Sequence, residues 1–253
     1  MWDESLVLGT KSFRSRLIVG AERYPSAEIM RRSHDASGTE LVTIAVRELD
    51  LASAGGSLLT SIDQSRFTLI ATTSGCRTAD EAVRTAYLAR EAGLGDVVTV
   101  DVLGDSRTEM PDLAAVLEAA QTLTREGFVT LPVTGDDPVT AKRLADAGAA
   151  GILVQPAPPG SGLGIRNPYA VRLVLDAVSV PVIVAGGIGT ASDAALAMEL
   201  GCHGVLVGTA IADAREPEVM AEAMRHAVEA GRGAYKAGRI ARRLHRSSFG
   251  SPD

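Results

Sequence analysis

Two polar side chains, Thr99 and Asp101, interrupt an otherwise apolar run at residues 97–103, Val-Val-Thr-Val-Asp-Val-Leu. If the run is a strand, alternation puts Thr99 and Asp101 on one face and Val98, Val100 and Val102 on the other. A carboxylate is costly to bury unpaired, and such groups concentrate at active sites, where they transfer protons. The structural alternative for Asp101 is an ion pair, with Arg47 as partner. A second set of candidates is glycine-rich: Pro159-Gly-Ser-Gly-Leu-Gly-Ile165, Ala185-Gly-Gly-Ile-Gly189 and Val207-Gly-Thr-Ala210. Glycines there let backbone N–H groups approach an anion, although tight turns use glycine for their own reasons. Three such clusters on one rim predict a phosphate site, and hence a phosphorylated small substrate. The third signal is a scarcity. Of 25 basic residues only Lys11, Lys142 and Lys236 are lysines. Lysine forms imines and arginine does not, so any imine chemistry must use one of the three.

Other groups are weaker candidates. Asp136 and Asp137 could serve as acid and base, but helix capping explains at least one of them. Cys76 precedes a helix start, where the dipole lowers a thiol pKa, yet a small packing residue is the simpler expectation. Arg107 could meet a phosphate or solvent.

The elements that must position these groups follow from apolar periodicity. Short Val-, Ile- and Leu-rich runs occupy 17–20, 41–46, 67–71, 97–103, 128–133, 151–154, 181–185 and 204–207. Amphipathic segments fill 79–92, 113–125, 138–147, 168–177, 191–200 and 216–230. Continuous hydrophobic strands alternating with helices indicate a parallel sheet covered by helices. Eight of them predict an α/β fold, a (β/α)8 TIM barrel, whose loops after strands seven and eight frequently bind phosphate. A doubly wound open sheet is the alternative. Thr78-Ala-Asp-Glu81 reads as a capping box, Pro138 as a first-turn proline, and Gly93 and Gly148 as glycines ending helices. Residues 1–240 read as one barrel domain and 241–253 as a flexible basic tail.

Composition narrows the function. The chain has 253 residues with a formal charge of −6, which argues against a general nucleic-acid binder. Cys76 and Cys202 are its two cysteines and it has four histidines without metal-ligand spacing, so no disulfide scaffold or metal site is expected. Neither a signal peptide nor a membrane span is visible, which predicts a cytoplasmic protein with no membrane partner.

The motifs resemble the thiazole synthase family of thiamin biosynthesis. The resemblance runs through Lys11-Ser-Phe-x-Ser-Arg-Leu17, Tyr24-Pro-Ser26, Ala45-Val-Arg47, Thr78-Ala-x-Glu-Ala-Val83, Glu126-Gly-Phe128 and Leu131-Pro132. It continues through Asp136-Asp137, Gly160-Ser-Gly-x-Gly-Ile165, Pro181-Val-Ile-Val184, Ala197-Met-Glu-Leu-Gly201, Ala227-Val-Glu-Ala-Gly231 and Ala237-Gly-Arg-Ile240. It implies the barrel fold and a transferase-type condensation of 1-deoxy-D-xylulose 5-phosphate with dehydroglycine, without a cofactor. Sulfur would come from the thiocarboxylate of a ubiquitin-like sulfur-carrier protein, and the assembly would be a homodimer or homotetramer. The family's phosphate-binding backbone falls on Gly160, Gly186, Gly187, Gly208 and Thr209.

The catalytic positions depart from the family pattern. The Schiff-base lysine of a Lys-Val-Glu-Val motif is replaced by Thr99 in Thr99-Val-Asp-Val102, and its glutamate is shortened to Asp101. The family's aspartate in Val-Asp-Ala-Gly-Ile-Gly is Ala185, and two asparagines are Thr72 and Gly208. The expectation is sulfur incorporation on a phosphorylated ketose or sugar without imine-lysine chemistry, with Asp101 and Thr99 as catalytic groups. The alternatives are thiazole-phosphate synthesis by a lysine-independent route and a non-catalytic paralogue that binds the sulfur carrier.

Overall fold

A computed structural model describes residues 5–48 and 58–241. The tail expected from residue 241 lies, apart from Ala241, outside the described residues. An N-terminal hairpin, β1 (Leu6–Leu8) and β2 (Lys11–Phe13), precedes β3 (Leu17–Gly20), α1 (Ala27–Ser37), β4 (Leu41–Ala45) and β5 (Thr68–Thr72). Then follow α2 (Ala79–Glu91), β6 (Val97–Val100), α3 (Leu113–Arg125), β7 (Val129–Thr134), α4 (Pro138–Asp146), β8 (Ile152–Val154) and α5 (Pro168–Ala177). The chain continues with β9 (Val182–Val184), α6 (Ala191–Glu199), β10 (Gly204–Val207), α7 (Thr209–Ala212) and α8 (Pro217–Ala237). Strands β3 to β10 pair in parallel in chain order, and β10 closes on β3 through Val205↔Leu17 and Val207↔Val19. This is the expected (β/α)8 barrel, and closure excludes the open sheet.

Strand alternation sorts the core into two layers. Ile18, Leu41, Ile70, Val97, Leu131, Val133, Leu153 and Ile183 pack together inside the barrel. Their neighbours Val42, Ala71, Val98, Val100, Ile152, Val154 and Val182 pack outward against the helices. The hairpin, which the sequence reading lacks, stops one end of the lumen. Leu6, Leu8 and Phe13 are buried in the inner layer, and the turn at Gly9 lies against Val129 at the start of β7. The opposite end, at the C-terminal ends of the strands, is left open.

The helix starts follow local chemistry. Side chains of Ser26, Thr78, Asp112, Asp137 and Asn167 each accept a hydrogen bond from a first-turn N–H. The capping box expected at Thr78 forms only in half. Thr78 accepts from Glu81 N, but the Glu81 carboxylate accepts from Arg77 N at 2.7 Å. The reciprocal box closes instead between Thr190 and Asp193. Gly93 and Gly148 follow their helices at φ +84° and +91°, as expected of glycines at helix ends. Helix α8 runs past the expected end at Ala230 through Gly231, whose bare Cα lies against the Ala195 carbonyl and Met198 of α6. No helix among the described residues is long and apolar enough to cross a membrane.

Candidate functional site

The open end holds a cavity of about 650 Å³ lined from nearly every strand, including Ala45, Thr72, Thr99, Asp101, Gln155, Ala185 and Val207. Thr99 and Asp101 share the lumen face, because Val98, Val100 and Val102 all pack outward. A buried hydroxyl, Thr73, fixes this stretch. It donates to the Asp101 carbonyl at 2.7 Å and accepts from Asp101 N at 2.9 Å, while Thr73 N donates to the Thr99 carbonyl at 3.2 Å. The chain is thereby held extended beyond β6, and the Asp101 side chain is aimed inward.

Asp101 is partly open to the cavity, but its Oδ1 is enclosed and has no hydrogen-bond partner. Burial pushes its pKa up to about 6, opposed by the Ser74 hydroxyl, raised further by Glu109 and lowered by Arg47. The structure shows no ion pair between Asp101 and Arg47. The Arg47 guanidinium lies over the bare Cα of Gly75, a position where a side chain would collide with it. A carboxyl that titrates near neutrality can exchange protons in both directions, which an ordinary surface aspartate does poorly at neutral pH.

The three glycine clusters meet on one side of the mouth. Gly164 N donates to the Gly187 carbonyl at 2.7 Å, and Gly162 and Gly189 touch backbone to backbone. Gly160 lies against Thr209 at the start of α7, and Gly20, at the end of β3, lies against the Gly208 Cα. Gly160 and Gly187 have φ of +69° and +77°, a region that disfavours other residues. Nothing among the described residues accepts a hydrogen bond from the backbone N–H of Gly160, Gly186, Gly187 or Gly208. The loops after β8, β9 and β10 thus present bare donors on one rim, the arrangement an oxyanion needs.

The rim is charged in both senses. Glu22, Asp101 and Glu109 line it together with Arg23, Arg47 and Arg107. Glu22 Oε1 accepts from Ala45 N at 2.5 Å, and Arg23 reaches Asp213 at 2.7 Å. Arg23 and Glu109 are the non-glycine residues with positive φ among those described, and both line this mouth. Backbone strain of this kind collects at sites where surrounding structure over-determines the chain.

The remaining candidates fall away from the chemistry. Asp137 caps α4, accepting from Val139 N and Thr140 N, and neither it nor Asp136 lines the cavity. Cys76 is half-buried, contacts the Thr85 hydroxyl at 3.3 Å, and burial pushes its thiol pKa up rather than down. Arg107 reaches the rim. No lysine lines the cavity: Lys11 belongs to the hairpin at the closed end, Lys142 pairs with Asp146 on α4, and Lys236 lies near the end of α8. Among the described residues there is no group of three or more His, Cys, Asp or Glu side chains placed to hold a metal ion. Sequence reasoning missed Thr73 and Gln155. Gln155 could have been found by parity, because it follows the outward Val154 and therefore shares the lumen face with Leu153.

Fold and site together define a parallel α/β barrel whose working face is a polar mouth at the C-terminal ends of its strands, beside three converging glycine loops. Within that class the chain belongs to the family described as thiazole biosynthesis protein ThiG, whose sequence model matches residues 7–252. It is 53% identical over 247 residues to the thiazole synthase of Myxococcus xanthus, covering 97% of this chain and 95% of that one. It is 50% identical over 254 residues to the thiazole synthase of Sorangium cellulosum, covering 100% and 97%. Among solved structures it is similar to one described as the Amycolatopsis orientalis BexX/CysO complex, with 37% identity, a TM-score of 0.86, and 96% and 100% of the two chains covered.

Proposed function

We propose that this chain is an enzyme that forms a carbon–sulfur bond on a phosphorylated ketose, with sulfur delivered by a thiocarboxylated carrier protein, and that it does so without a protein-bound imine. The observation that carries this reading is the composition of the mouth. It has a glycine cradle suited to phosphate and a carboxylate at Asp101 with one enclosed, unpartnered oxygen, yet Thr99 stands where an imine would need lysine. The phosphate is assigned to the backbone of Gly160, Gly186, Gly187, Gly208 and Thr209. The Thr99 hydroxyl, on the same lumen face as Asp101, donates a hydrogen bond to the ketose carbonyl oxygen. Ionised Asp101 takes a proton from the adjacent carbon and later returns one. The carrier's thiocarboxylate sulfur adds to the carbonyl carbon, and the acyl group passes from sulfur to the former carbonyl oxygen. The carrier then leaves as its carboxylate, so oxygen is exchanged for sulfur with no change of oxidation state. Family membership supports the substrate class, and the resemblance to a chain solved in a BexX/CysO complex supports a protein partner. A homodimer or homotetramer is part of the same reading, as is a single barrel domain over residues 1–240.

The same bare position 99 also favours a second reading, a non-catalytic paralogue that holds the carrier. One assay separates the two. The protein is incubated with 1-deoxy-D-xylulose 5-phosphate or other ketose phosphates and thiocarboxylated carrier, with and without dehydroglycine, and products are read by mass spectrometry. The expected result is a sulfur-containing phosphosugar product formed over many turnovers. Appearance of thiazole phosphate only when dehydroglycine is present assigns the lysine-independent thiazole route. A stable carrier complex with no product under any condition removes the enzymatic reading.

A further inference from the structure

Gln155 directly follows β8 on the lumen face, beside the cradle and two strands along the barrel from the β6 end that carries Asp101. It is 4% exposed, and its Oε1 is enclosed with no hydrogen-bond partner. A buried polar group without a partner is destabilising, and native interiors contain few of them. A packing role would be met by Leu or Met at no such cost. The neighbouring backbone is shaped around this side chain. A Cβ on Gly186 would stand 3.1 Å from both Cβ and Cγ of Gln155 and 2.6 Å from the Ala157 carbonyl oxygen. The bare Cα of Gly186 therefore gives Gln155 its place beside a loop assigned above to phosphate. Asp101, whose Oδ1 is likewise enclosed and unpartnered, lines the same cavity. Two unmet acceptors on one cavity suit a ligand carrying several hydroxyl donors, and a bare anion would satisfy neither.

We infer that Gln155 is a substrate-binding and specificity residue, whose carboxamide accepts a hydrogen bond from the hydroxyl on the carbon next to the phosphate-bearing carbon of a polyhydroxylated substrate. The inference rests on the phosphosugar reading and narrows it. It excludes phosphorylated substrates that lack that hydroxyl. A site built to hydrogen-bond a hydroxyl discriminates strongly against the analogue without it, because its own polar group is then left unpaired.

The test is calorimetric binding of four probes: 1-deoxy-D-xylulose 5-phosphate, its 4-deoxy counterpart, the unphosphorylated sugar 1-deoxy-D-xylulose and inorganic phosphate. They are titrated into the full chain and into Gln155→Met and Gln155→Leu, each checked for native circular dichroism. Met is unbranched and close in volume, so at least one variant should keep the packing. The wild type is expected to prefer the hydroxylated sugar phosphate over the 4-deoxy probe by about tenfold or more. The folded variant is expected to lose that preference while its affinity for inorganic phosphate changes less than about twofold. A variant that keeps the full preference overturns the role of Gln155 and leaves the phosphosugar reading standing. A wild type that binds neither sugar phosphate more tightly than the unphosphorylated sugar overturns both.

Discussion

Asp101→Asn is expected to lower turnover by about 10²–10⁴-fold, the usual contribution of a positioned acid or base, while phosphosugar affinity stays within a few-fold of wild type. Asparagine keeps the shape and the fit against Thr73, whose bonds go to the Asp101 backbone, but it cannot take up a proton. The same variant should be more stable than the wild type at neutral pH. Burial raises the carboxyl to about 6 in the folded protein, against about 4 in an unfolded chain. The folded state therefore binds the proton more tightly, and stability falls as pH rises from 4 to 6, with the full penalty present above 6. Two pKa units correspond to at most about 3 kcal/mol. Removing the charge should recover about 1–3 kcal/mol of this, or several degrees of Tm in a domain of this size. Activity of the wild type should rise with pH through about 6, as the base becomes ionised. A structural ion pair at Asp101 predicts the opposite pattern, lower Tm with activity retained, so thermal unfolding and a pH–rate profile together decide between the two roles.

Gly187→Ala is expected to damage the phosphate cradle. Its φ of +77° is costly for alanine, and the added Cβ would stand 2.7 Å from both the Ala157 Cβ and the Gly164 carbonyl oxygen. The hydrogen bond from Gly164 N to the Gly187 carbonyl joins the two loops, so they cannot separate without losing it. We expect a stability loss of about 1–3 kcal/mol from backbone strain. Loss of one charge-assisted bond to phosphate, about 1.5–3 kcal/mol, should weaken phosphosugar binding roughly tenfold to a hundredfold. Calorimetry with the sugar phosphate and its unphosphorylated counterpart checks this. Equal weakening for both compounds would mean that the loop shapes the mouth and does not hold phosphate.

Much of the barrel is legible in the sequence because strands buried on both faces must be apolar throughout. All eight barrel strands fall within about two residues of the apolar runs, apart from β6, where the run continues as irregular chain to Leu103. The shared parity of Thr99 in β6 and Asp101 just beyond it follows from the same alternation. Helix α1 is not legible, because the residues it buries are Met30, Ser33, His34 and Ser37, a face with one large apolar side chain. The N-terminal hairpin is hidden by its size: two strands of three residues each carry too few positions for a period to register. The amphipathic segment read to Ala230 stops short of Gly231 because glycine weakens helices, whereas close packing of Gly231 on α6 overrides that local preference. The three glycine clusters are visible individually, but their pairing, Gly160 with Thr209 and Gly162 with Gly189, exists only after the barrel closes. Gln155 escapes for a related reason. A single glutamine after an apolar run is unremarkable until it is found lining the cavity with an enclosed, unpartnered oxygen.

The central claim is that this mouth keeps substrate binding and proton transfer but has no protein-bound imine. Borohydride trapping tests it most directly. Wild-type protein and Thr99→Lys are each incubated with 1-deoxy-D-xylulose 5-phosphate and borohydride, and their intact masses are measured. The account predicts an unchanged mass for the wild type and a reduced sugar-phosphate adduct on Thr99→Lys, mapped to position 99. An adduct on the wild-type chain, located by peptide mapping to Lys11, Lys142 or Lys236, would contradict it.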